Sequence, residues 1–224
     1  NIMYFTELAK KIDISCVQAF HTCSEIDAMI QAAIQYHFAA AFTLPSFSSY
    51  VAEKLAPYPD IHVGGVISFP SGGDTTFQKS RQAKELRQVG CKEFDMVMNL
   101  TALKSHEDNY VIEDIAAVRE VTGNDILKVI IEAPQLTEGE IRRAVNLCIQ
   151  AGADYVKTSS GWYPSHPSTL SQVQIMANEA KGRIKIKAAG GIRTLETIRS
   201  MEKAGCSRFG ISLSSALKLF QALS

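Results

Sequence analysis

Long apolar runs are missing from this sequence. The longest, such as FAAAFTL (38–44), fall far short of the about 20 residues that cross a bilayer, so no membrane span is expected. Neither sign of charge predominates. Lys+Arg and Asp+Glu both total 23, which leaves no basic excess to suit nucleic acid or an anionic membrane. Cys16, Cys23, Cys91, Cys148 and Cys206 are scattered, odd in number and never paired as CxxC. They read as reduced thiols of a cytoplasmic protein, mostly filling core. The five histidines show neither HxH nor HExxH spacing, so neither a metal nor another cofactor is expected. The first residues, NIMYFTELAKKI, have the pattern of neither a signal nor a transit peptide. No low-complexity stretch, long charge run or Pro/Gly/Ser-rich linker divides the chain, so residues 1–224 are expected to form one domain.

What is present is alternation. Short apolar runs rich in Val, Ile and Phe predict strands at 12–17, 39–44, 62–69, 94–100, 127–133, 155–159, 184–190 and 208–212. Their near-continuous apolarity is that of parallel strands covered on both faces. Helical periodicity fills the gaps. Residues 24–37 place Ile26, Met29, Ile30, Ala33 and Ile34 on one face, with Ser24 as the expected N-cap. Residues 137–152 begin on Thr137 with Glu140 three positions on, a capping-box pattern, and 194–205 is expected to repeat it. Eight strands alternating with helices predict an α/β fold, a (βα)8 TIM barrel, slightly under its usual size of about 250 residues. A doubly wound sheet is the alternative, but it has fewer strands and a Gly-rich first turn, which is missing after 12–17.

In such a barrel the active site lies at the C-terminal mouth of the strands. Lys157, Lys187 and Asp95 all fall inside predicted strands, the sixth, seventh and fourth. Lysine is almost never fully buried without a partner. Two ammonium groups on neighbouring strands disfavour each other's charge, and burial acts in the same direction. Both effects favour a neutral amine, the nucleophile that attacks a carbonyl. Asp95 supplies an anion that can hold one lysine charged and pass protons through a water. Asp13, on the first strand, is a second inward carboxylate. The competing interpretation is a set of ion pairs plugging the barrel. Lys185 shares the parity of Lys187 and is expected near the N-terminal rim. Lys128 also lies in a strand, with Glu132 or Asp95 expected to neutralise it.

A second pattern concerns anions. AAGGIRT (188–194) follows the seventh strand and FGISLSS (209–215) follows the eighth. Loops at these places often bind phosphate through backbone N–H groups and a helix N-terminus. Gly190, Gly191 and Gly210 permit close backbone approach, Ser212 and Ser214 add hydroxyls, and Gly161 can belong to the same rim. Arg193 offers a charge or an ordinary surface ion pair.

The stretches FDMVMNLTALKS (94–105), LKVIIEA (127–133), AGADYVKTSSG (151–161), KAAGGIRT (187–194) and RFGIS (208–212) resemble the deoxyribose-phosphate aldolase family. ISFPSGG (67–73) and KIDIS (11–15) match more loosely, and together the resemblance spans nearly the whole chain. It implies a metal-free class I aldolase on a (βα)8 barrel, which cleaves 2-deoxyribose 5-phosphate reversibly to glyceraldehyde 3-phosphate and acetaldehyde. It further implies Lys157 as the Schiff-base lysine, Lys187 as the lysine that tunes it and Asp95 as the proton-relay acid. Gly190, Gly191, Gly210 and Ser212 would hold the phosphate, with Asp13, Ser15 and Gly161 also at the substrate. The implied partners are a small phosphorylated carbonyl compound and further copies of the chain as a homo-oligomer.

Several positions depart from the family pattern. Ser15 stands where Thr is usual, with Ile14 before it. Phe42 and Leu44 replace more polar residues of the second strand, where a Cys is common. Ser68 occupies a Gly position, and Leu213 replaces the second of two adjacent serines. Some members use a C-terminal tyrosine in proton transfer, whereas here the last tyrosine is Tyr163. Trp162 and Tyr163 add aromatic rings to the rim loop GWYPSHPST (161–169). The Schiff-base residues are intact while the mouth is altered, so a weaker preference for phosphorylated substrates is expected. Two other functions are weighed against the aldolase: a thiolase acting on a phosphorylated ketone through the same lysine, and a non-catalytic sugar-phosphate-binding barrel.

Overall fold

A computed structural model describes residues 2–223. Eight strands, β1 (Ile12–Cys16), β2 (Ala40–Thr43), β3 (His62–Ile67), β4 (Glu93–Val97), β5 (Ile126–Ile130), β6 (Tyr155–Lys157), β7 (Lys185–Ala189) and β8 (Arg208–Ser212), form a closed barrel. Every neighbouring pair is parallel, and β8 returns to β1 with Asp13 opposite Gly210 and Ser15 opposite Ser212. Helices lie between successive strands, as the parallel crossovers require. The (βα)8 expectation holds, and the doubly wound alternative is excluded by closure.

Side chains alternate across each strand. Ile12, Ile14, Phe94, Met96, Leu127, Val129, Val156, Ile186, Phe209 and Ile211 belong to the main apolar core together with residues of the surrounding helices. The opposite parity contributes a different interior. A small separate apolar cluster of Ala40, Phe42 and Val66 sits on the β2–β3 side. Much of the rest of the interior is ionic, where branched apolar residues are usual in such barrels.

Most predicted strands end earlier than their apolar runs, because the last residues bend into the loops of the mouth. The helix predicted from Ser24 starts at Cys23 and is capped by Thr22, whose side chain accepts from Glu25 N while Glu25 reaches back in a full capping box. The box on Thr137 and Glu140 forms as expected. At Thr194 the third helical residue is Thr197, so that cap is a single N–H to hydroxyl bond and the box is missing. Ser68 adopts a left-handed φ of 53° and is held there by its hydroxyl donating to Asp74 (2.8 Å) and its N–H donating to Gln82 (2.8 Å). That is how a serine occupies a position where glycine is usual. Cys16, Cys91, Cys148 and Cys206 are buried and Cys23 is exposed. Burial pushes the Cys16, Cys91 and Cys206 thiols up to about 12, so they remain protonated core residues. Among the described residues, no helix is long and apolar enough to cross a membrane.

Candidate active site

The strand register brings the charged residues together. On β4 and β5 Asp95 lies opposite Lys128, and on β6 and β7 Lys157 lies opposite Lys187. Asp95 is fully buried, and its Oδ2 accepts from Lys157 Nζ at 3.0 Å and from Lys187 Nζ at 2.7 Å. Lys187 also reaches Asp13 Oδ2 at 2.6 Å. Lys128 bonds Asp95 Oδ1 (3.1 Å), Asp13 Oδ2 (3.0 Å) and Glu93 Oε1 (2.7 Å). Arg208 Nη1 joins Asp13 Oδ1 (2.7 Å) to Glu93 Oε1 (2.8 Å). Asp95 is therefore one partner of Lys128, as expected, but Glu132 is not. Glu132 has a left-handed φ of 42°, which carries its carboxylate to Ser160, where it accepts from the N–H (3.1 Å) and the hydroxyl (2.7 Å). It thereby braces the loop that follows β6.

Four cations, Lys128, Lys157, Lys187 and Arg208, thus share three carboxylates, Asp13, Glu93 and Asp95. Burial alone would push the Asp95 carboxyl up, but Lys128, Lys187 and Lys157 hold it well below the usual range. Burial opposes ionisation of Asp13 too, and Lys128, Lys187 and Arg208 overcome it. Lys128 loses charge stability on burial, yet Asp13, Asp95 and Glu93 raise it above an ordinary lysine. Lys157 behaves differently. It reaches a single carboxylate oxygen, which it shares with Lys187. Burial, then the Lys187 charge, pull its ammonium down to about 8 against the attraction of Asp95. Lys157 is the cation that this cluster holds least firmly, and its neutral amine is a nucleophile for a carbonyl carbon.

Above the cluster a cavity of about 310 Å³ opens at the C-terminal mouth. Lys157, Lys187, Asp13 and Ser15 face it from below, whereas Asp95 lies beneath that floor. One wall is polar: Gly161, Gly190, Gly191, Gly210, Ser212 and Arg193 line it, and Ser214 and Ser215 join them from the first turn of the helix Leu213–Gln221. Gly191 has a φ of 74°, and a Cβ there would sit 2.7 Å from Pro167 Cβ, so this turn requires glycine. A Cβ on Gly210 would stand 3.2 Å from Lys187 Cε, so its absence leaves room for that side chain. The lining also has apolar members, Val17, Phe42, Val66, Phe69 and Tyr163. Phe42 lays its ring 4.6 Å from Lys187 Nζ and 4.8 Å from Lys128 Nζ. Leu44 packs against the cluster of Ala40, Phe42 and Val66, and Trp162 stands edge-on to Phe69 at 5.9 Å. Gln18 Nε2 donates to the carbonyls of Gly161 (3.2 Å) and Trp162 (3.3 Å), tying the loop after β1 to the loop after β6.

Lys157, Lys187, Asp13, Ser15, Gly161, Gly190, Gly191, Gly210 and Ser212 therefore meet at one end of the barrel, with Asp95 bonded to both lysines beneath them. Leu213 does not join them. Its side chain is buried in the apolar core, and the next hydroxyls at the mouth belong to Ser214 and Ser215. Lys185 is exposed at the start of β7, as expected. Glu93 and Arg208 are the charged members that sequence reasoning missed. Their parity, shared with Asp95 and with Gly210, was the available signal. Among the described residues no group of His, Cys, Asp and Glu is arranged to hold a metal ion.

Comparison with known proteins agrees with this geometry. The sequence profile of the DeoC/LacD family aldolases matches residues 9–221. A deoxyribose-phosphate aldolase of Sinorhizobium medicae (strain WSM419) is 42% identical over 213 residues, 95% of this chain and 86% of that protein. One of Klebsiella pneumoniae is 36% identical over 217 residues, 96% of this chain and 87% of that protein. The tetrameric deoxyribose phosphate aldolase structure of Aeropyrum pernix superposes with a TM-score of 0.88 at 26% identity, covering 97% of this chain and 92% of that one.

Proposed function

The chain belongs to the DeoC/LacD family of aldolases, and from that premise we propose that it cleaves 2-deoxyribose 5-phosphate reversibly to glyceraldehyde 3-phosphate and acetaldehyde through an imine on Lys157. The observation that carries this is the sharing of one Asp95 oxygen by two lysines, which leaves Lys157 the weakly held amine at the cavity floor. The neutral Lys157 amine adds to the C1 aldehyde carbon of the open-chain sugar, and loss of water leaves an iminium. The C3 hydroxyl gives up its proton, the C2–C3 bond breaks, and its electron pair moves toward the iminium nitrogen. Glyceraldehyde 3-phosphate departs and an enamine remains. Protonation of that enamine at C2 and hydrolysis release acetaldehyde and restore the amine. Asp95, held between Lys157 and Lys187, moves protons through a water in these steps. The phosphate sits against the Gly190–Gly191 turn, Gly210 and the N-terminus of the helix capped by Ser212.

As for the setting, we place the protein in the cytoplasm, as a homo-oligomer without a bound metal. The test is to follow both products from 2-deoxyribose 5-phosphate, with and without coenzyme A. Equal release of acetaldehyde and glyceraldehyde 3-phosphate, indifferent to coenzyme A, is expected. Cleavage that consumes coenzyme A would point to the thiolase, and binding without any turnover to a sugar-phosphate-binding barrel.

A further inference from the structure

We infer that Glu93 and Arg208, at the closed end of the barrel, are positioning residues that set the charge of Lys157 at the open end. The inference rests on Lys157 being the reactive amine. The two ends are joined by an unbroken ionic path. Glu93 meets Arg208 at 2.8 Å, Arg208 meets Asp13 at 2.7 Å, and Asp13 meets Lys187 at 2.6 Å. Lys187 meets Asp95 at 2.7 Å, and Asp95 meets Lys157 at 3.0 Å. Lys128 bridges Glu93, Asp13 and Asp95 alongside this path. Arg208 opens β8 and Glu93 opens β4, two residues before Asp95 and so about 7 Å from it along the strand.

Stability gives little reason for this arrangement. A buried ionic cluster is often no more stable than well-packed apolar residues in the same volume. Its charge count has a chemical consequence instead. With four cations on three carboxylates, the buried cluster carries one surplus positive charge when every group is ionised. Arg208 does not release a proton. Lys128 has three carboxylates in contact and Lys187 has two, while Lys157 has one. The surplus is therefore relieved by deprotonating Lys157.

The titratable neighbours are the groups of this same cluster together with His62 and Tyr155. Glu93 faces Lys128, Arg208 and Asp13, and His62 Nδ1 lies 2.8 Å from its outer oxygen. Lys157 faces Asp95, Lys187 and Lys128. The Tyr155 ring lies 5.5 Å from Arg208 and 5.9 Å from Lys128. The carboxylate of Glu132 is turned to Ser160, away from this count.

The prediction is a pair of opposite effects. Glu93→Gln removes one negative charge and deepens the surplus. Arg208→Gln removes one positive charge and cancels it. The measurement is the rate of the borohydride-trapped acetaldehyde adduct on Lys157 across pH, read by intact mass on the full chain. Glu93→Gln should move the half-point of adduct formation down by about half a pH unit or more, about threefold faster trapping at pH 7. Arg208→Gln should move it up by a similar amount, and the double variant should return it to the wild-type position. Glu93→Asp and Arg208→Lys, which keep the charges, should leave it in place. Shifts of the same sign in the two neutral variants, or equal shifts in the charge-keeping ones, would overturn the inference. Should Arg208→Gln fail to fold, the contrast between Glu93→Gln and Glu93→Asp decides alone. A wild type that traps no adduct on Lys157 sinks the assignment of that lysine itself, whereas a wild-type adduct with unmoved variants sinks only the role of Glu93 and Arg208.

Discussion

Lys157 and Lys187 donate to the same oxygen of Asp95, at 3.0 Å and 2.7 Å. One carboxylate oxygen does not neutralise two ammonium groups, and Lys187 has a second partner in Asp13 that Lys157 lacks. Burial and the Lys187 charge hold Lys157 at about 8. Relative to an ordinary lysine, that raises the neutral fraction at pH 7 roughly 300-fold. Adduct formation on Lys157 should accordingly climb with pH and level off above about 8.

Removing the second ammonium should reverse this. In Lys187→Leu the repulsion is gone while Asp95 remains, so the Lys157 pKa rises toward the usual lysine value. The half-point of borohydride trapping should move up by about one pH unit or more, a loss of about tenfold or more in trapping rate at pH 7. An unmoved half-point would mean that the two amines do not sense each other.

Asp95→Asn separates imine formation from proton transfer. The variant keeps the Lys157 amine and removes its anion, so trapping at neutral pH should persist. Steady-state turnover should fall by about 10²–10⁴-fold, the usual contribution of a positioned acid or base. Turnover within tenfold of wild type would remove Asp95 from the proton path.

The polar wall makes a contrast between two neighbouring loops. Gly191→Ala forces a Cβ into a left-handed turn against Pro167. It should lower the ratio of kcat/KM for 2-deoxyribose 5-phosphate over 2-deoxyribose by about tenfold, the equivalent of about 1.4 kcal/mol. Leu213→Ser should leave that ratio unchanged, because Leu213 faces the core. It should instead lower Tm by about 4 °C or more, for a loss of at least about 2 kcal/mol. A changed ratio in Leu213→Ser would place that side chain at the phosphate after all.

Outside the site, Lys79 is fully buried on the helix Thr76–Val89 and meets Asp114 of the helix Asp108–Thr122 at 2.5 Å. Its ammonium also donates to Val97 O at the end of β4, at 3.1 Å. Asp114→Asn leaves a buried cation without its anion, which costs about 3–5 kcal/mol. Differential scanning calorimetry should show Tm lower by on the order of 10 °C, with kcat at 20 °C preserved in the folded protein.

Much of this site was legible in the sequence because lysine and aspartate stand out inside apolar strands. Lys157, Lys187 and Asp95 needed only period-two parity and a barrel mouth to be brought together. Glu93 and Arg208 were hidden by their places at strand starts, where a charged residue normally faces water. Asp95 and Glu132 were alternative partners for Lys128, and the left-handed backbone that turns Glu132 to Ser160 instead leaves no mark in the residue pattern. Leu213 misled for a geometric reason. Ser212 ends β8 and caps the following helix, so Leu213 is the first helical residue and the alternation of the strand no longer applies to it. The cap expected at Ser24 lies at Thr22 instead, because Glu25, three residues beyond Thr22, completes a capping box with it.

The most direct test is to treat wild type and Lys157→Leu with 2-deoxyribose 5-phosphate and borohydride, then map the modified peptide by mass spectrometry. The substitution keeps the bulk of the side chain and removes the amine. The wild type should carry one reduced adduct on Lys157. Lys157→Leu should carry none and should show cleavage no faster than the uncatalysed background. An adduct of the same mass that persists on another lysine of Lys157→Leu, with cleavage retained, would contradict the account.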